Sequence, residues 1–446
     1  MRSITDIIRH FKENWTNELC PDAIERACRE QGMKWRQSTL NPIVTVQVFF
    51  LQILHGNTAC THLPRLAKLC FTAAAYCKAR MRLKLKVFEL LLQRTVEQLH
   101  QDTFVASRWL GHRVFFLDGS SFSMPDTPEL QEHFGQSGAQ RQGCGFPTAH
   151  WLAMMHAGTG MITKILTAPL RTHDLAKTAE LHPELQAGDV LVGDRAFCSF
   201  AHFALLLRRG VQGVLRIHQR VFVDFTAGRP HVVPGQGKRR GKKGLPRSRW
   251  IKQLGINDQI VQWFKPVNCP AWMSAEQFAE LPKSIEIREL RYTITERGFR
   301  AQTITLATTL LDSQVYELPE LATLYRDRWE IETNFGHLKT TMKMDVLKCT
   351  TVAGVLKELN VFALIYNLVR QVMLIAAEQQ QVDFRRISFI DALRWLQTAL
   401  PGDAVPALVV NPLRRNRLEP RVRKRRPKTY PLMTKPRCQL KNELAQ

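Results

Sequence analysis

The chain has 446 residues, 45% of them hydrophobic, with 63 Lys plus Arg against 39 Asp plus Glu and a net charge of +24. That size and apolar content exclude a disordered scaffold and allow two or three domains, while the charge excess points to a polyanionic partner. No uncharged apolar run approaches a bilayer span, the opening MRSITDIIRHFKENW has no signal-peptide apolar block, and ten scattered cysteines without a CxxC pair argue against a zinc site or disulfide framework. The expected location is cytoplasmic.

Residues 1–105 read as a helical N-terminal domain. Apolar stripes run through Ile4, Ile7, Ile8 and Phe11, through Ile24–Cys28, through the block Ile43–Leu54 and through Val87–Leu99. Arg65, Lys68, Lys78, Arg80, Arg82, Lys84 and Lys86 give this module a basic side, which suits nucleic acid or, equally, a packed cap with solvated lysines.

Residues 106–218 turn to α/β rhythm. The apolar run Arg113–Leu117 ends at Asp118-Gly119-Ser120, and Asp189–Gly193 ends at Asp194-Arg195. Between them Phe146–Met155 and Met161–Leu170 flank a Gly-Thr-Gly turn as a hairpin, residues 174–186 read as a helix, and Val211–Ile217 is a further strand after the helix His202–Arg209. Strand ends deliver functional side chains where the next loop leaves room for ligand. A lone strand-end Asp is a turn or cap residue as readily; two in similar settings favour a shared site.

Residues 219–300 form an expected β-rich insertion, with candidate strands Val221–Phe225, Gln259–Phe264 and Ile285–Thr295, followed by Gln302–Thr309. Its stretch Gly235–Arg249 is rich in Gly and cations. Lys238, Arg239, Arg240, Lys242 and Lys243 there are candidate phosphate contacts, or a solvated loop without a dedicated partner. Residues 301–400 return to the core with a helix over Leu318–Met342, an apolar core helix over Gly354–Ala376 and a shorter helix over Ile390–Leu400. Residues 401–446 form a basic tail, with eleven Lys or Arg against Glu419 alone between Leu413 and Arg437, read as an extended DNA-contacting arm.

The helix over Leu318–Met342 organises the rest. Tyr325, Arg328, Glu332 and Lys339 are spaced by three, four and seven residues and share one side of a cylinder. Locally this is a solvated pair between Arg328 and Glu332. Joined by Asp118 and Asp194, it becomes an acid among cations that would complete an oxygen-donor site for hard divalent ions.

These residues resemble the DDE transposases of the IS4 class of bacterial insertion sequences, which carry Asp, Asp and Glu on an RNase H-like core with a signature Tyr-x2-Arg-x3-Glu-x6-Lys. Tyr325, Arg328, Glu332 and Lys339 match it at every spacing, and GDRAF around Asp194 and DGS after Asp118 match the surroundings of the two aspartates. The resemblance covers roughly residues 10 to 380. It implies an α/β, RNase H-like fold and two Mg²⁺ ions, replaceable by Mn²⁺, held by Asp118, Asp194 and Glu332. Arg328, Lys339 and Arg195 would contact phosphate, with Tyr325 against the end nucleotide. It further implies double-stranded DNA as partner, both terminal inverted repeats and target, with cleavage, 3′-hydroxyl strand transfer, a dimer on paired ends and association with the nucleoid. Relatives often carry an arginine at the position of His337. Some cut through a DNA hairpin with an aromatic holding a flipped base; Trp250, Trp263 and Trp272 are candidates, or insertion core. A metal-dependent nuclease or resolvase without strand transfer, and a silent DNA-binding regulator, are the alternatives.

Overall fold

The computed structural model describes residues 19–97, 108–169, 177–232, 244–294, 302–399, 403–413 and 433–445. The chain enters through five helices: α1 (Pro21–Glu30), α2 (Pro42–Leu54), α3 (Leu63–Ala67), α4 (Ala73–Arg82) and α5 (Leu85–Glu97). Their starts follow ordinary capping chemistry. Asn41 Oδ1 accepts from the Val44 amide at 2.9 Å with Pro42 behind it, and the Thr72 hydroxyl accepts from the Ala75 amide at 3.1 Å.

The α/β part adds β1 (Val114–Ser123), α6 (Pro128–Phe134), β2 (Thr148–His156), β3 (Ile162–Pro169), β4 (Val190–Gly193), α7 (Phe200–Arg208) and β5 (Gln212–Arg216). After these come β6 (Arg249–Gly255), β7 (Asp258–Phe264), α8 (Ala275–Ala279), β8 (Ser284–Ile294), β9 (Gln302–Thr308), α9 (Leu318–Asp327), α10 (Glu330–Gly336), α11 (Val352–Gln380), α12 (Phe389–Thr398) and α13 (Arg437–Ala445). Among the described residues the strands form one sheet in the order β3-β2-β1-β4-β5-β9-β8-β7-β6. β1 pairs antiparallel with β2 and parallel with β4, and β4 pairs parallel with β5. A meander of three antiparallel strands continued by two parallel ones, with helices on both faces, is the RNase H-like arrangement the resemblance implied.

Side-chain parity divides the sheet between two cores. Val114, Phe116, Val190, Val192 and Val214 pack under α2, α5, α9, α10 and α11, while Phe115, Leu117, Leu191 and Leu215 pack under α7 on the other face. The long helix α11 is apolar and long enough to span a membrane, but most of its length is buried against the sheet and its neighbours, as for a core helix. Its fully buried Glu358 is satisfied by Asn57 Nδ2 at 2.6 Å, by the Lys348 amide at 3.0 Å and by the Cys349 amide at 2.9 Å.

Several expectations change. Strands β6 to β8, from the insertion read as β-rich, extend the core sheet through β9. Val221–Phe225 is irregular, and β6 begins inside the stretch read as a cationic loop. The described part of 174–186 is mainly a 3-10 segment, Ala179–Glu184, with Pro183 inside it. Asp118 does not end its strand: β1 runs five residues further, paired with β2 down to Ser123–Thr148. In the tail, α13 docks on the core, with Arg437 Nη1 3.1 Å from Asp126 Oδ2 and the guanidinium 3.8 Å above the Phe146 ring.

Candidate active site

Strand register builds the site. The parallel ladder between β1 and β4 ends at Leu117 opposite Gly193, so the next residues, Asp118 and Asp194, emerge side by side. Both continue the parity of Val114–Phe116 and Val190–Val192 and therefore face the helices of the larger core. Gly193 keeps this packing close: a Cβ there would meet the Phe197 and Leu215 side chains at 3.1 Å and have to push them aside by a few tenths of an ångström. Phe197 closes the 3-10 turn Arg195–Phe197 that begins at Asp194, which is the local reason for the GDRAF run.

Onto this row comes the chain of α9 and α10. The single helix expected over Leu318–Met342 is instead three pieces. Arg328 and Trp329 form a tightened step, with i to i+3 bonds from the Trp329 amide to Arg326 O and from the Ile331 amide to Arg328 O, both 3.0 Å. Residues His337–Thr341 then widen into a π turn, closed by the Met342 amide on His337 O at 2.9 Å. Such turns recur at functional sites. Phe335 anchors the assembly on Trp151, ring centroids 5.6 Å apart.

The signature side chains reach the acids. Arg328 Nη1 donates to Asp118 Oδ2 at 2.6 Å, and its Nη2 lies 3.7 Å from Glu332 Oε1. The Tyr325 hydroxyl donates to Asp194 Oδ1 at 3.2 Å, and Lys339 Nζ donates to Ser120 Oγ at 3.0 Å, two residues beyond Asp118 on the same face of β1. Arg195 is exposed and donates to Gln219. Lys238, Arg239, Arg240, Lys242 and Lys243 lie outside the described residues. Among the tryptophans, Trp263 donates to Glu289 at 2.8 Å, Trp272 stacks on His202 at 4.7 Å and Trp250 donates to Gln253 at 3.3 Å, so each has a packing role in its own region.

The electrostatics are those of crowded acids. Burial raises the Asp118 pKa, opposed by Arg328 and the Gly119 amide and assisted by Asp194. Burial likewise raises that of Glu332, opposed by Arg328 and assisted by both aspartates. Burial disfavours the Arg328 cation, but Tyr325, Asp118, Asp194 and Glu332 outweigh it and hold it charged above its ordinary range. Burial lowers the Lys339 pKa.

Three carboxylates without sulfur or imidazole are a hard-cation donor set, so the residues fit Mg²⁺ in kind. Among the described residues, however, no three His, Cys, Asp or Glu side chains are already gathered as an ion-holding group. What stands between Asp118 and Glu332 is the Arg328 guanidinium.

Sequence reading missed Ser120 and Arg216. Ser120 was findable as the i+2 partner of Asp118. Arg216 ends β5, one position past the Gly193–Leu215 pair, and its charge reaches Tyr325; only the register reveals it.

The fold is a mixed α/β one of the RNase H-like kind, with Asp118 and Asp194 side by side on its central strands. The family model described as Transposase DDE domain matches residues 109–368, more than half of the chain, and the chain belongs to that family, related to the IS4-type bacterial transposases. It is 24% identical over 381 residues to the transposase InsG of insertion sequence element IS4 from Escherichia coli K12, covering 81% of this chain and 78% of that one. It is also 26% identical over 128 residues to the putative transposase InsZ of the same strain, which spans 28% of this chain and 42% of that protein. Among solved structures, the piggyBac transposase in a synaptic complex with hairpin DNA aligns with a TM-score of 0.42 and 12% identity over 89% of this chain and 80% of that one. Membership of the family implies DNA binding and phosphoryl-transfer chemistry of the divalent-metal type.

Proposed function

We propose that the chain is a transposase that binds the terminal inverted repeats of its element, cleaves at their ends and joins the resulting 3′-hydroxyls to target DNA. The observation that carries this reading is the single register row of Asp118 and Asp194 lying under the chain segment that brings Tyr325, Arg328, Glu332 and Lys339. Asp118, Asp194 and Glu332 would hold the divalent ions. When bound, these activate the attacking water or hydroxyl and stabilise the leaving oxygen.

The remaining work belongs to the chain's own residues. Lys339, next to Ser120, and Arg328 provide donors for phosphate oxygens on either side of the scissile bond. Tyr325, buried and fixed on Asp194, keeps that carboxylate oriented. Away from the site, a cavity of about 720 Å³ between the α1–α2 connection and the end of α4 is lined by Lys34, Trp35, Arg36, Arg82 and Lys84 with no acid, a surface suited to duplex backbone. Assembly as a dimer on paired ends, and activity on the bacterial nucleoid, complete the reading.

The test uses purified protein, Mg²⁺, short duplexes of the element ends and a supercoiled target. Joined products are expected from the wild type. Asp118→Asn, Asp194→Asn and Glu332→Gln should each abolish cleavage while end binding stays within about twofold, because a lost metal ligand removes rate rather than affinity. Cleavage surviving in all three variants would remove the proposed site; cleavage without joining would make the protein a nuclease.

A further inference from the structure

Arg328 sits where a cation is needed and is itself a cation. Its guanidinium is nearly buried, with its side chain 5% exposed, and binds Asp118 at 2.6 Å with Glu332 at 3.7 Å. Asp194 is capped in turn by the Tyr325 hydroxyl, and the Arg328 guanidinium lies 5.5 Å from the Tyr325 ring centroid. The signature residues thus engage all three acids of the site at once.

This arrangement leaves one fault. Arg328 Nε is buried and has no hydrogen-bond partner. Two oxygens of a phosphate can accept a parallel pair of guanidinium N–H bonds, Nε included, and an unsatisfied buried donor is a standing penalty. Arg328 also lies in the step between α9 and α10, outside regular helix, while both flanks of that step are tied down: Arg385 Nη1 is 3.6 Å from Asp327 and its Nε is 2.7 Å from Glu330. The backbone is held while the side chain has a second partner class available.

We propose that Arg328 is a displaceable counter-ion: in the DNA-free protein its guanidinium closes the carboxylate site against divalent cations, and a DNA phosphate that draws it off Asp118 opens the site. Metal loading then follows DNA binding. Asp118 Oδ2 accepts from the buried guanidinium at 2.6 Å and Oδ1 from the Gly119 amide at 2.8 Å, so a divalent ion approaching this carboxylate is repelled by a cation already seated on it, and the two compete for the same negative charge. Premature loading, with hydrolysis of whatever DNA drifts past, is thereby suppressed. This inference rests on the reading that Asp118, Asp194 and Glu332 are the metal ligands.

The test is Mn²⁺ binding to the full-length protein, followed by titration calorimetry and by the paramagnetic signal of free Mn²⁺, with and without an end duplex. Wild type should bind Mn²⁺ weakly alone and about tenfold or more tightly with duplex, and the Mn²⁺ should tighten duplex binding by the same factor, since coupling is reciprocal. Arg328→Ala should bind Mn²⁺ tightly without DNA and gain nothing from it. Arg328→Lys, which keeps charge and loses the fork, should fall between them, and it carries the comparison if the alanine variant has lost its thermal unfolding transition. Equal Mn²⁺ affinity of wild type and the Arg328 variants without DNA, with binding still lost in Asp118→Asn, would overturn the counter-ion role and leave the metal site standing. Unchanged Mn²⁺ binding when Asp118→Asn is added to Arg328→Ala would instead overturn the metal reading itself.

Discussion

The surroundings of His337 explain why a basic contact is not what it provides. The ring lies flat on Phe389, 4.2 Å between centroids and 5° between planes, with Nδ1 buried and unpartnered. Burial, helped by Arg370, lowers its pKa to about 4 from 6.5. The unfolded chain therefore takes up this proton first, so the stability contributed by the neutral ring is present above pH 6.5 and is lost as pH falls toward 4. Replacing it by phenylalanine, which keeps the stack, should remove that slope. Urea midpoints between pH 7 and pH 4 should decline less in His337→Phe than in the wild type, by an amount on the order of 2–3 kcal/mol at the acid end. Parallel declines would show that the ring is already free to take up a proton. A second single-residue consequence concerns Lys339: if it meets a backbone phosphate, Lys339→Ala should weaken binding across sequences and reduce the log K against log salt slope by about 1.

At the scale of elements, the acid-bearing strands are pinned at their far ends. Arg113, just before β1, and Asp189, just before β4, form a buried bidentate pair with both contacts at 2.8 Å. Removing Asp189 leaves a buried guanidinium uncompensated, so Asp189→Ala should cost about 3–5 kcal/mol in denaturant unfolding, and in the remaining folded protein cleavage should fall as the β1–β4 register loosens. The same scale shows what could be read from the chain beforehand. The first half of β1, strands β2, β4, β5 and β7 to β9 and helices α2, α5 and α11 were legible because each keeps one apolar period throughout. The step at Arg328–Trp329 was not, since one 3-10 turn and a later π turn shift the period by less than apolar spacing can register. Asp118 was misread as a strand end because Gly119-Ser120-Ser121 carries turn composition, and only pairing with β2 keeps it extended. β6 was hidden by Arg249, Lys252 and Gln253, which break its apolar run. The grouping of Asp118, Asp194 and Glu332 was read from two acids closing apolar runs and a third among cations on the later helix, whereas the interposed guanidinium is a tertiary fact with no local signal.

For the whole molecule, one sheet running from β3 to β6 joins the core and the insertion, and the basic surfaces lie around it. At the docked end of the tail, Arg437 is engaged by Asp126 and Phe146 and is not a free cation. Shortening the chain after Pro412 should weaken duplex binding and flatten its salt dependence, by ~0.9 in slope for each phosphate contact removed; an unchanged slope would assign the arm another task. A larger consequence comes from Glu358. One carboxylate bonds Asn57 beside α2, the backbone at Lys348 and Cys349 downstream of α10, and sits on α11 itself. Asn57 closes α2, which helps line the cationic hollow, and α11 packs on the sheet that carries Asp118 and Asp194, so Glu358 ties the two regions together like the jaws of a caliper. On the proposed function, such a caliper measures along the duplex: moving the recognised bases inward by one base pair, about 3.4 Å, should carry the nick inward by one nucleotide rather than abolish it.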